Sequence, residues 1–151
     1  MTQFDPVRVG LIGAAGRWGP RAHAPALKGV SETELYAVCT AHEETARAAA
    51  DQFGVARAYG SDNGLNADPQ VEAVAVAVRV PAHYALTKHA LEAGKHVFCE
   101  WPLGANTQEA EELAALAKKK NLRTVVGLQR RASPARSEEH TSELQSHHDL
   151  V

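Results

Sequence analysis

Up to about Ala135, apolar blocks of strand length alternate with amphipathic blocks of helix length. Strands are predicted at 7–12, 35–40, 71–80, 96–99 and 123–128, with a short extended piece at 55–59. Helices are predicted at 18–28, 43–53, 82–93 and 107–120. The stretch at 60–64, which holds two glycines, Asp62 and Asn63, is predicted to be a loop. Strands that alternate with helices at this spacing imply right-handed crossovers. The predicted fold class is therefore α/β, a doubly wound parallel sheet of the Rossmann type.

Local signals refine the helix limits. Pro20 is tolerated in the first turn of the first helix, whereas Pro25 should kink that helix or delay its start. The last helix has Asn106 or Thr107 as its cap, is acidic early and basic late, and ends in the solvated run 118–120. The valine- and alanine-rich block at 71–80 is typical of a central strand that is covered on both faces.

The last sixteen residues, 136–151, break this pattern. They hold His140, His147 and His148 without apolar periodicity, so a metal site and an exposed polar extension are both conceivable. A third interpretation fits better, because the segment resembles the translation of a short-read sequencing adapter. We therefore expect a dinucleotide-binding domain at 1–135 and a non-native, disordered tail at 136–151. Without the tail, one arginine and four acids are lost and the net charge moves from −2 to +1.

Composition narrows the class of protein. The chain has 151 residues, is 44% apolar and 23% charged, and is therefore expected to fold around one core. Its near-neutral charge argues against a nucleic-acid partner, and no apolar run reaches the length of a membrane span. Cys39 and Cys99 each lie in an apolar run, which indicates buried, reduced thiols. We expect a cytoplasmic protein without a metal site.

A glycine-containing turn directly follows the first strand and opens a helix. It consists of Gly13, Ala14, Ala15, Gly16, Arg17, Trp18 and Gly19. Glycines at such a turn let backbone amides approach a pyrophosphate, and a second strand follows at the spacing of a dinucleotide site. An ordinary strand–helix turn also favours glycine, and the loop is one residue longer than the usual fingerprint. The context nevertheless favours binding of NAD or NADP.

The end of the second strand bears on the choice of dinucleotide. An Asp or Glu there accepts a hydrogen bond from the adenosine ribose and excludes a 2′-phosphate. This chain has Thr40-Ala41-His42 instead, with Glu43 and Glu44 following. Thr40 is therefore the candidate contact, and NADP is admitted beside NAD.

The run 90–103 (ALEAGKHVFCEWPL), together with His23, resembles the Gfo/Idh/MocA family of sugar-type oxidoreductases. The resemblance covers residues 6–135. It implies an N-terminal Rossmann domain, which would end here just after residues 129–131, and a C-terminal α/β domain for substrate binding and oligomerisation. It also implies that the cofactor contacts a further set of residues, namely Val78, Arg79, Val80, His83, Glu100 and Trp101.

Two departures from the family pattern concern catalysis. The family has Glu-Lys-Pro where this chain has Glu100-Trp101-Pro102, and an indole cannot transfer the proton that the lysine handles. Lys95 belongs to the entrance of the strand and is a poor substitute. The segment 78–80 also replaces a Thr-Pro-Asn-like sequence. No catalytic residue is therefore assigned, and His83, which matches a family position, would otherwise be an ordinary histidine at a helix start.

These departures, with the lengthened glycine loop, 80–84 and the ending 127–134, are similar to a branch that includes the fungal galactose-regulon repressor. That repressor binds dinucleotide and acts through a transcriptional activator. Two functions follow: an NAD(P)-dependent oxidoreductase acting on a sugar or polyol, or a non-catalytic dinucleotide-binding regulator with a protein partner. The full-length protein is expected to be a homo-oligomer. Residues 1–135 alone should expose apolar surface, bind dinucleotide weakly and show no turnover.

Overall fold

The computed structural model describes residues 5–128, and within them one six-stranded parallel sheet forms the centre of the fold. The strands are β1 (Val7–Ile12), β2 (Thr33–Cys39), β3 (Arg57–Tyr59), β4 (Ala73–Val76), β5 (His96–Glu100) and β6 (Thr124–Gly127). Their order is β3-β2-β1-β4-β5-β6, so the direction of winding reverses between β1 and β4. The predicted doubly wound α/β fold is confirmed. At such a reversal the loops that follow two adjacent strands diverge and leave a crevice.

The helices are α1 (Ala24–Gly29), α2 (Glu43–Phe53), α3 (Asp62–Ala67), α4 (His83–Glu92) and α5 (Thr107–Lys119). A five-residue π-helical segment, Gly19–His23, precedes α1, and a 3₁₀ turn, Val80–Ala82, precedes α4. None of these helices is long and apolar enough to cross a membrane.

Helices cover both faces of the sheet, and each face has its own core. One core packs residues of α3, α4 and α5, such as Leu65, Leu91 and Leu113, against one side of the central strands. The other core packs α1 and α2 against the opposite side and includes Leu11 and Phe53. Small alanine side chains fill much of both cores and allow close packing of helix on sheet.

The structure confirms two predicted details of the helices. Pro25 lies in the first turn of α1, so the predicted helix at 18–28 is divided and its α-helical part starts late, at Ala24. Asn106 caps α5, because its side chain accepts a hydrogen bond from the Glu109 amide at 2.9 Å.

Two other predictions were wrong. The predicted loop at 60–64 contains the start of α3, whose first turn is capped when the Ser61 hydroxyl accepts from the Gly64 amide at 3.3 Å. The predicted strand at 71–80 is shorter, because β4 pairs with its neighbours only from Ala73 to Val76. After one more bond, from the Ala77 amide to the Ile12 carbonyl at 3.0 Å, the chain leaves the sheet and enters the 3₁₀ turn at Val80–Ala82.

The chain beyond residue 128 is outside the described residues. This applies to the predicted domain end at Ala135 and to the predicted tail at 136–151, including His140, His147 and His148.

Candidate functional site

Two adjoining cavities form a cleft along the carboxyl edge of the sheet, where the winding reverses. Their volumes are about 860 Å³ and about 610 Å³, and Gly13, Gly16 and Val78 line both. We call the larger cavity the indole end, since Arg17, Trp18, Arg79, Val80, His83, Glu100 and Trp101 line it. We call the smaller one the threonine end, since Ala15, Thr40, His42, Thr45 and Asp62 line it.

The glycine turn is shaped by close backbone approaches. Gly13 has a φ of +95°, and a Cβ built there would lie 2.2 Å from the Ala77 carbonyl oxygen. A Cβ on Gly19 would lie 2.2 Å from the Gly13 carbonyl oxygen. These two glycines are therefore required by the packing of the turn against the end of β4 and against itself.

The turn leaves backbone donors for a ligand. The Gly13 and Ala14 amides donate to the Cys39 carbonyl, and the Gly16 amide donates to the Gly13 carbonyl. Within residues 5–128, the amides of Ala15, Arg17 and Trp18 have no acceptor. Free backbone amides beside a guanidinium are donors that a diphosphate group can use, so the turn fits a dinucleotide.

At the threonine end, the predicted contact Thr40 is already engaged. Its hydroxyl donates to the His42 carbonyl at 2.8 Å and lies 2.6 Å from the Thr45 hydroxyl. The cavity nevertheless has a carboxylate, because Asp62 at the start of α3 lines it and lies 2.7 Å from His89 Nδ1. Sequence reasoning missed Asp62 by treating it as a loop residue. Its place just after β3, at the carboxyl edge, was the signal that could have found it.

At the indole end, a buried pair joins the glycine turn to β5. His23 Nε2 lies 2.9 Å from Glu100 Oε1, and the two side chains are only 14% and 10% exposed. The His23 ring also packs on Phe98, with the ring centroids 5.4 Å apart. The pair holds the segment after the turn against the end of β5. Since its members are 77 positions apart, no local sequence pattern indicates it.

Two exposed indoles stand at this end of the cleft. Trp18 is 52% exposed and lies under the Arg17 guanidinium, whereas Trp101 is 67% exposed at the start of the cis Trp101–Pro102 peptide bond. Lys95 lies at the opposite edge of the sheet, where its buried amine donates to the Asp68 and Val71 carbonyls at 2.7 Å each. It therefore cannot take the place of the lysine that Trp101 replaces.

His83 lies beneath the indole end and is 1% exposed. Its Nδ1 is 2.6 Å from the Pro102 carbonyl oxygen, and its Nε2 is 3.0 Å from the Val78 carbonyl oxygen. The contact with Cys99 and these two carbonyls outweigh burial and raise the pKa of His83 to about 9. Both ring nitrogens therefore have partners within the protein.

Two predicted contacts lie apart from the joined cavities. Ala14 is buried in the core and lines a separate hollow between the turn and α2. Gly19 is buried against the turn. The other predicted residues, from Gly13 to Trp101, line one or both ends of the cleft.

Among the described residues, no three His, Cys, Asp or Glu side chains lie close enough together to hold a metal ion. Cys39 and Cys99 are free and buried, and burial together with Asp62 raises the pKa of Cys39 to about 12. Such a thiol stays protonated near neutral pH and is a poor nucleophile.

Comparison with known proteins identifies the family of this chain. Residues 7–128 match the model of the Gfo/Idh/MocA oxidoreductase family, NAD-binding Rossmann fold. The chain is 35% identical over 125 residues to a myo-inositol 2-dehydrogenase of Thermotoga maritima, covering 83% of this chain and 37% of that one. It is 31% identical over 142 residues to the galactose/lactose metabolism regulatory protein GAL80 of Kluyveromyces lactis, covering 85% and 31%.

Among solved structures, the 3-ketoreductase KijD10 of Actinomadura kijaniata, in complex with NADP and TDP-benzene, superposes with a TM-score of 0.83. It is 29% identical, and the match covers 93% of this chain and 42% of that one. The chain spans about a third of the length of the curated relatives it matches. The chain belongs to the Gfo/Idh/MocA oxidoreductase family and contains its NAD-binding Rossmann fold, with NAD or NADP as the cofactor.

Proposed function

We propose that this chain is the dinucleotide-binding part of an NAD(P)-dependent oxidoreductase that acts on a sugar or polyol. The observation that carries the proposal is the continuous cleft across the reversal point of the sheet, with the glycine turn at its centre. The name of the Thermotoga maritima relative, a myo-inositol 2-dehydrogenase, supports a polyhydroxylated substrate.

The cleft suggests a role for each of its parts. The free amides of Ala15, Arg17 and Trp18 would bind the diphosphate, with Gly13 and Gly16 allowing the close approach. The threonine end would hold the adenosine, with Thr40 at its wall and Asp62 as the nearby carboxylate. The β2 end itself lacks a carboxylate, so we propose that either NAD or NADP is accepted.

The indole end would hold the nicotinamide ring, which supplies the hydride chemistry when the dinucleotide is bound. Val78, Arg79 and Val80 form one wall, and Glu100 and Trp101 form the other. Neither an indole nor the buried Lys95 can handle the proton lost with the hydride. We propose that a further α/β domain of a homo-oligomeric full-length protein supplies the group that does so.

Dinucleotide binding is testable with the tryptophans of the chain. Its two tryptophans, Trp18 and Trp101, both line the indole end, so bound NADH or NADPH should quench their emission. Ala15→Glu places a carboxylate beside the free amides and should lower affinity about tenfold or more. Ala115→Glu, at an exposed position of α5, is the matched control and should bind like the wild type. Absence of quenching in the wild type, or equal affinity of both variants, would contradict the proposed site. We expect no dehydrogenase turnover from this chain alone.

A second candidate, a non-catalytic dinucleotide-binding regulator, is favoured by Trp101 and by the similarity to GAL80. It predicts that the complete gene product binds dinucleotide without oxidising sugars. Trp101→Lys should then create measurable sugar-dependent reduction of NAD or NADP, since the cleft is otherwise intact. If the natural protein with Trp101 already reduces NAD or NADP with a sugar, the regulator hypothesis is excluded.

A further inference from the structure

His83 connects the two loops that form the walls of the indole end. It is the first residue of α4, and Val78, whose carbonyl it contacts, lies in the loop after β4. Pro102, whose carbonyl it contacts on the other side, lies in the loop after β5 and directly follows Trp101. With the ring 1% exposed, water cannot replace either contact.

The two contacts require a particular charge on the ring. A neutral imidazole has one N–H, so it donates to one carbonyl and turns a lone pair toward the other. With acceptors at 2.6 Å and 3.0 Å from its two nitrogens, only the imidazolium of His83 donates to both. An unpaired polar contact of this kind, buried from water, is costly.

We propose that His83 is a positioning residue whose imidazolium ties the loop after β4 to the loop after β5 and so sets the width of the dinucleotide cleft at its indole end. The inference rests on the proposed function in one respect, that the cleft binds a dinucleotide. It adds that the spacing of the cleft walls depends on the protonation state of a side chain that itself makes no polar contact with the ligand.

The surroundings of the ring are consistent with a charged state. The Cys99 side chain on β5, then the Pro102 and Val78 carbonyls, favour the charged form over the effect of burial, and the pKa is raised from 6.5 to about 9. The other charged groups along this end of the cleft are Arg17, Arg79 and Glu100. Because the pKa rises on folding, the stabilising effect is full below about pH 6.5 and is lost as the pH rises through about 9.

The first experiment measures the protonation of the two ring nitrogens of His83 directly. In the full 151-residue chain labelled with ¹⁵N-histidine, a His83→Asn difference spectrum identifies the His83 signals. We expect both ring nitrogens of His83 to carry protons at pH 7 and to titrate together near pH 9. An unprotonated ring nitrogen at pH 7 would overturn the proposal. The readout is made on the wild-type protein, and a His83→Gln spectrum gives the same assignment if the Asn variant folds poorly.

The second experiment measures NADH and NADPH affinity between pH 7 and pH 10 by tryptophan quenching. Wild-type affinity should fall about tenfold over this range, whereas His83→Asn should start about tenfold weaker and stay flat. His96→Asn is the matched control, because His96 Nδ1 accepts from the Arg123 amide at the opposite edge of the sheet. It should follow the wild type. A His83→Asn protein with wild-type affinity and pH profile would overturn the proposal.

The inference can also be tested if the proposed function fails and the chain binds no dinucleotide. If the wild type binds neither NADH nor NADPH, the Trp101 emission of a Trp18→Phe protein decides the inference. Since Trp101 adjoins Pro102, its emission should shift between pH 7 and pH 10, and His83→Asn should abolish the shift. A Trp101 emission that is constant over this range in the presence of His83 would overturn the inference.

Discussion

The two edges of the sheet differ in how many of their polar groups have partners within the protein. At the amino edge, two pairs of charged groups are in contact: Arg8 with Glu72 at 3.3 Å, and Arg57 with Asp68 at 3.2 Å. The buried Lys95 amine there donates to two backbone carbonyls.

At the carboxyl edge, within the described residues, the guanidinium of Arg79 has no ion pair and three amides of the glycine turn have no acceptor. Two indoles stand exposed beside them. Two sets of paired groups there, His23 with Glu100 and His83 with two carbonyls, lie beneath the indole end of the cleft.

This difference separates stability from binding. Groups that satisfy one another contribute to folding and offer nothing to a ligand, whereas unpaired donors are available to one. Substitutions at the amino edge should therefore change the free energy of unfolding, and substitutions of exposed groups at the carboxyl edge should change dinucleotide affinity.

The largest expected effect is that of Gly13→Ala, which should change both the free energy of unfolding and dinucleotide affinity. The substitution combines an unfavourable φ of +95° with a Cβ 2.2 Å from the Ala77 carbonyl oxygen. We expect about 3 to 5 kcal/mol of destabilisation in urea unfolding, with loss of dinucleotide binding. Gly94→Ala is the matched control, since Gly94 has a φ of +80° with open space around it. It should cost about 1 to 2 kcal/mol. Equal costs would show that the close approach at the turn is unimportant.

A smaller effect is expected for Lys95→Met at the amino edge. The change keeps the length of the side chain but leaves the Asp68 and Val71 carbonyls without their donor. Urea unfolding should show a loss of about 2 kcal/mol, with NADH affinity unchanged. Lys120→Met, which removes an exposed bond to the Glu92 carbonyl, should cost less than about 0.5 kcal/mol. A large fall in NADH affinity for Lys95→Met would contradict the separation of the two edges.

The smallest effect on stability is expected for Arg79→Gln at the carboxyl edge. Its exposed guanidinium has no partner in residues 5–128, so unfolding should change by less than about 0.5 kcal/mol. Affinity for the anionic dinucleotide should fall about threefold to tenfold. Arg47→Gln on α2 makes the same change of net charge away from the cleft and should leave affinity unchanged. Equal losses in both variants would point to net charge instead of a local contact.

The fold was largely predictable because its signals are local. The apolar run before Gly13, the cap at Asn106 and the position of Pro25 each act within a few residues. The errors at 60–64 and 71–80 have a different cause. The length of β4 depends on its pairing with both β1 and β5, and no sequence window around Val76 contains that information.

The candidate site was predictable only in part. The glycine turn and the loops after β4 and β5 were found because they follow strands whose ends must meet at one edge. The sequence did not show whether a side chain in these loops faces the cleft or another part of the protein. Ala14 packs into the core, Thr40 bonds its own neighbours, and Asp62 enters the cleft from a helix that was not predicted.

The sequence by itself determined the alternation of strand and helix and the place of the glycine turn, because both depend on residues that are close together in the chain. Its resemblance to the family added that Trp101 stands where the family has lysine. Only the tertiary structure decided that His23 meets Glu100 across 77 positions and that His83 lies between two carbonyls. Burial and the direction of distant backbone groups control such pairings and charges, and both arise only when parallel strands bring their loops to the same edge.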